Sequence, residues 1–139
     1  MKIKDIESKF YVKDNKVTCV MTGKVYLPDM SEEEAYDRVV KYLNRITSGN
    51  CVRVHHSSFY SPYSIQVVSR AICSKEDTFD AKVGTRLSQA KAKAKLDRIM
   101  VSLNDFVARL FMEEVMKATN HASKYQSDRN HQLEYIKEF

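Results

Sequence analysis

A chain of 139 residues with 43% hydrophobic and 29% charged side chains carries enough apolar material for one folded domain. It is neither a disordered chain nor one that needs disulfide staples. No run approaches the about 18 apolar residues of a membrane span, and the opening Met-Lys-Ile-Lys-Asp lacks the apolar core of a secretory signal, so a cytoplasmic protein is expected. The net charge is +5.

The segment KFYVKDNKVTCVMTGKVYLP reads as a β-hairpin. Asp14-Asn15 supplies the turn, and Val17, Cys19, Met21, Val25 and Leu27 fall at alternate positions, with Gly23 marking a bulge. The opposite face, Thr18, Thr22, Lys24 and Tyr26, is polar and expected to be wet. After Pro28, Ser31-Glu-Glu-Glu34 forms a capping box that opens a helix. Ala35, Val39, Tyr42, Leu43 and Ile46 make its apolar stripe, and Gly49 suits the left-handed cap that closes it.

Two further strands are expected, CVRVHH from Cys51 and SIQVVSRAIC ending at Cys73. Phe59, Tyr60 and Tyr63 lie between them, either as an exposed binding tip or folded back over one end of the sheet. Asp80 is the best N-cap for the long helical region that follows, with Ser74-Lys-Glu-Asp77 a competing box upstream. The order β-β-α-β-β-α predicts an α+β fold: an antiparallel sheet of about four strands with helices on one face. Residues 1–119 are expected to form this single domain, and 120–139 a polar tail or short added helix.

Six cations, Lys82, Arg86, Lys91, Lys93, Lys95 and Arg98, fall between residues 82 and 98 against one acid, Asp97, so the basicity is local. A helical projection at about 100° per residue places Val83, Leu87, Ala90 and Ala94 on one face, expected against the sheet. Lys82, Arg86 and Lys93 form one flanking rail, and Lys91, Lys95 and Arg98 the other. Two functions fit that geometry: a solvated flank whose lysine stems snorkel, or a row of phosphate contacts. Gly84, off that stripe, would admit a close neighbour such as another chain or a nucleic-acid backbone.

From Ala92 onward the apolar positions move to the reverse side: Leu96, Ile99, Leu103, Phe106 and Leu110. A straight helix cannot bury both stripes on one sheet. The helix is therefore expected to break, with Ser102-Leu-Asn-Asp105 as a second capping box, or its distal half to find a partner. Self-association through those five residues and closure of the chain's own core both satisfy the pattern.

With only three glycines, at 23, 49 and 84, no glycine-rich phosphate loop is possible, and the H-E-x-x-H, G-x-S-x-G and C-x-x-C patterns are absent. The three cysteines, Cys19, Cys51 and Cys73, are odd in number and sit among β-branched residues, as free core thiols do. Glu76, Asp77 and Asp80 with His55 or His56 are the sole candidates for a Mg²⁺ site, and capping and solvation account for them better. Neither a metal, a cofactor, a small-molecule substrate nor an enzymatic activity is expected.

Cys73 to Ala92, CSKEDTFDAKVGTRLSQAKA, resembles a segment of small uncharacterised proteins of phages and mobile elements. The resemblance implies a phage or mobile-element setting, in host cytoplasm or virion if phage-encoded, and no residue roles. Two functions follow: a non-enzymatic binding protein touching nucleic-acid phosphates through the six helix cations, with Arg53 and Arg70 assisting, or a protein–protein module. The module would be a virion component or an inhibitor of a host defence complex, assembling through the second apolar face.

Overall fold

The computed structural model describes residues 1–28, 30, 33–54, 62–74 and 78–139. It has an α+β architecture with the element order β1 (Ile3–Lys13), β2 (Lys16–Val25), α1 (Glu33–Ile46), β3 (Cys51–Arg53), β4 (Tyr63–Ile72) and α2 (Ala81–Lys137). The strands form one antiparallel sheet in the order β1-β2-β4-β3. The chain divides into two compact units, Met1–Asn104 and Asp105–Phe139. That boundary falls earlier than the one expected at 119/120, and residues 120–137 continue α2 instead of forming a tail or a separate helix.

The first hairpin turns at Asp14-Asn15, with Asp14 at φ 56° supplying the positive-φ position of a two-residue turn. Its bulge lies across from Gly23, not on it. Lys4 pairs with Lys24 and Glu7 with Thr22, so Asp5 and Ile6 together oppose one residue, and Asp5 takes φ 52°. The Ile3 side chain occupies the space a Cβ at Gly23 would fill, so a larger residue there would require Ile3 to shift. β1 also begins well before the Lys9 expected from sequence, because the bulge breaks the alternation there.

Alternation along β2 and β4 sorts the sheet into two faces. Val17, Cys19, Met21 and Val25 with Tyr63, Ile65, Val67, Ser69 and Ala71 are buried on the inner face. Burial pushes the Cys19 thiol pKa upward, as expected of a core thiol. None of the three cysteines forms a disulfide, and only Cys19 is buried; Cys51 and Cys73, expected in the core, are half-buried because they stand at strand ends. Tyr63, one of the three aromatics expected around the β3–β4 loop, is a buried β4 residue. Its phenol is pushed up to about 12, by burial first and then by a hydrogen bond with Tyr36 of α1. Phe59 and Tyr60 lie outside the described residues, as do His55, His56, Ser31, Glu76 and Asp77.

α1 carries acids Glu33 and Glu34 in its first turn, where the helix dipole favours them, and buries Val39 and Leu43. Ser48 (φ 52°) and Gly49 (φ 79°) are both left-handed at its end, and the Gly49 N–H donates to the Asn44 carbonyl at 2.9 Å. Asp80 caps α2: its Oδ1 accepts from the Lys82 N–H at 2.9 Å and the Val83 N–H at 3.4 Å.

α2 departs from the two-stripe reading. Val83 and Leu87 are 59% and 47% exposed, and Ala90 and Ala94 are also exposed. The buried line runs instead through Ser88, Ala92, Leu96, Met100, Leu103, Val107 and Leu110, beginning at half-buried Gly84. A Cβ on Gly84 would lie 2.7 Å from Val17 Cγ2, so the close neighbour that this glycine admits is β2 of the same chain. Gly84, Ser88 and Ala92 are a row of small residues four apart. Each step of four advances about 40° around the helix, so the contact line winds gradually and no change of side occurs at Ala92.

The expected break at Ser102–Asp105 does not form, and α2 is continuous. Asn104 uses its amide locally, donating to the Met100 carbonyl four residues back at 2.8 Å and to the Met1 carbonyl at 3.0 Å.

Candidate nucleic-acid interface

The six helix cations stand as two rails. Arg86 and Lys93 border a groove with Ile6, Ser8 and Met21 on the β1 side, while Lys95 and Arg98 border one with Thr47, Asn50 and Gln66 at the opposite edge. The rails flank the buried line that begins at Gly84, while Val83, Leu87, Ala90 and Ala94 face solvent between them.

Three of the six have definite partners. Even-numbered residues of β4 direct their backbone groups toward β3, as the Gln66 N–H bond to the Asn50 carbonyl at 3.0 Å shows. β3 pairs no further than Ile65, leaving the Val68 and Arg70 carbonyls on an open edge. Lys95 Nζ donates to the Val68 carbonyl at 2.6 Å, and Lys91 Nζ to the Arg70 carbonyl at 3.3 Å. These two lysines therefore close a strand edge against further pairing. Lys93 pairs with Asp97 one turn on, an exposed contact of little energetic weight. Lys82, Arg86 and Arg98 are exposed and make no ion pair with any described residue.

The five residues expected to form a protein interface are not a free surface. Leu96 and Leu103 are fully buried, Leu110 is 5% exposed, and Ile99 and Phe106 are half-buried. Within Met1–Asn104, Leu96 and Leu103 therefore belong to the buried line of α2. Arg53 sits on the inner face by its pairing with Tyr63, and Arg70 on the outer face by its pairing with Thr18. The two do not share a surface with each other.

A concentration of charge that the sequence reading did not single out lies on the outer face of the sheet. Register places Lys4, Lys9 and Lys13 of β1, Lys16 and Lys24 of β2, and Arg70 of β4 there, with Glu7 the one acid on those strands' outer positions. The sequence signal for Lys9, Lys13, Lys16 and Lys24 is their position on the polar face of the hairpin, while Lys4 lies beyond the bulge that breaks the alternation. No group of three or more metal-ligating side chains occurs among the described residues, and no described helix is long and apolar enough to cross a membrane.

Compared with protein-family models, curated proteins and solved structures, the chain matches none.

Replacing Lys91 and Lys95 together by Met keeps their apolar stems and removes the ammonium groups. We expect urea unfolding to show a loss of no more than about 1 kcal/mol of stability, since both contacts are exposed. Light scattering should show concentration-dependent association as the β4 edge opens. Unchanged scattering would mean that the lysines do not guard that edge.

Proposed function

We propose that the protein is a non-enzymatic, phage-type binding protein that contacts nucleic-acid phosphates through the basic stretch of α2. The observation that carries this reading is the exposure of Lys82, Arg86 and Arg98 without ionic partners among the described residues, within a stretch holding six cations against one acid. Cations left unpaired along one helix repel one another, and a polyanion relieves that repulsion while releasing its own counterions. Lys91 and Lys95, already donating to β4 carbonyls, contribute less; Lys93 is shared with Asp97. Contacts of this type position a protein on nucleic acid without reading its sequence.

Affinity for nucleic acid should fall steeply with salt. Replacing Lys82, Arg86 or Arg98 singly by Ser should lower the log–log salt slope by about one for each phosphate deprived of its cation. Lys91→Ser and Lys95→Ser should change it less. A flat salt response in fluorescence anisotropy would dispose of the reading.

A second reading, assembly with another copy of the chain, is favoured by a separate observation within Asp105–Phe139. From Phe111 to Phe139 every residue is exposed. Ala108, Phe111, Val115, Ala118, Ala122 and Tyr125 recur there at alternating spacings of three and four, and Ile136 falls on the same line. That 3.5-residue period suits a second helix winding around the first, and a helix with no buried face is only marginally stable alone in water. The assembling surface would thus be this stripe and not the buried Leu96–Leu110 line.

Analytical ultracentrifugation should show a dimer or higher oligomer whose dissociation is driven by Phe111→Asp with Val115→Asp, the sheet remaining folded by circular dichroism. A wild-type protein that sediments as a monomer at high concentration would refute assembly through this stripe.

A further inference from the structure

The cationic outer face of the sheet and the basic helix α2 are different surfaces. α2 seats on the inner face, where Gly84 meets Val17, while Lys4, Lys9, Lys13, Lys16, Lys24 and Arg70 occupy outer positions on three strands. None of these six is ion-paired to a described residue. Two pairs stand directly opposite one another across the β1–β2 ladder: Lys4 faces Lys24, and Lys13 faces Lys16. Like charges opposed in this way destabilise a sheet, so each pair works against folding unless an anion lies over it.

The face also carries exposed aromatic rings at positions that share it with the lysines. Tyr11, 58% exposed, lies two residues from Lys9 and two from Lys13, and strand alternation sets all three on the same side. Tyr26 follows the last inner residue of β2, and Lys4 Nζ lies 5.8 Å from its ring centroid. Lys24 lies eight residue steps along β2 from Lys16, a span of about 27 Å at about 3.4 Å per residue. Cations that track a phosphate chain, interleaved with rings on which unpaired bases stack, are what sequence-tolerant recognition of single strands uses. A duplex hides its base faces and could engage only the lysines.

We propose that the outer face of the β1-β2-β4 sheet is a binding site for single-stranded nucleic acid. Lys9, Lys13, Lys16 and Lys24 hold phosphates there, and Tyr11 stacks on a base. The proposal rests on the nucleic-acid reading for the class of ligand, but it assigns a surface distinct from α2.

The test is fluorescence anisotropy of the full chain with labelled oligothymidylate, the corresponding duplex, and heparin as a polyanion without bases. Tyr11→Thr, which keeps a strand-forming residue, should weaken single-strand binding about tenfold while leaving duplex and heparin binding unchanged. Lys13→Glu should also weaken single-strand binding, yet raise the melting temperature by removing the repulsion with Lys16. That opposition of binding and stability is not expected of a merely structural lysine. If Tyr11→Thr weakens heparin binding equally, or both variants bind the single strand like wild type, the sheet site is overturned. In the latter case, a loss confined to Lys82→Ser with Arg86→Ser would leave the α2 reading standing. No binding of any nucleic acid by the wild type at low salt overturns both.

Discussion

The close seating of α2 on β2 is the constraint from which the other features follow. Gly84, Ser88 and Ala92 present almost no side chain to the sheet, so the helix axis comes near enough for Val17 to occupy the space a Gly84 Cβ would need. Beyond Ala92 the same line widens into Leu96, Met100 and Leu103, which fill the inner core with large side chains. With that line buried, the opposite side of the helix, including Val83 and Leu87, is left exposed.

Seating of this kind also distributes the charge. It carries Lys91 and Lys95 to the carbonyls of Val68 and Arg70, where they finish a strand edge that the three-residue β3 is too short to cover. Lys82, Arg86 and Arg98 remain in solvent. Because α2 and the Tyr36–Tyr63 contact of α1 engage the inner face, the outer one keeps its lysines in the open strands β1 and β2. A compact run of positive charge in the sequence thus separates into structural and free members, while lysines scattered along β1 and β2 come together. In our proposal both surfaces attract the same polyanion by different means, one through charge alone and the other through charge with stacking.

Most of the architecture was legible from alternation and caps. The Asp14-Asn15 turn, the odd-numbered inner residues of β2, the stripe of α1, its left-handed end and the Asp80 cap all express local rules that tertiary contacts reinforce. What escaped was the register of α2 on the sheet. A projection weighted by hydrophobicity favours Val83 and Leu87 and gives glycine and serine no credit, although small residues bring a helix closest to a strand. The same weighting made Leu96 and Leu103 look like a second surface, since the slow winding of a four-residue row resembles a switch of face when only its large residues are counted. The basic outer face is less legible for another reason: Lys9, Lys13, Lys16 and Lys24 lie in the hairpin segment itself, but the register that sets them on one face with Lys4 and Arg70 comes from pairing β1 with β2 and β2 with β4.

The seating of α2 is most directly tested by a cross-link. An ideal Cβ at Gly84 lies 3.4 Å from Val17 Cβ, close to the Cβ separation of a disulfide. In a background with Cys19, Cys51 and Cys73 replaced, Val17→Cys with Gly84→Cys should oxidise to a single intramolecular disulfide, seen as a decrease of two hydrogens in the intact mass and a raised melting temperature. Two thiols that stay reduced and freely alkylated in the folded protein would contradict the account.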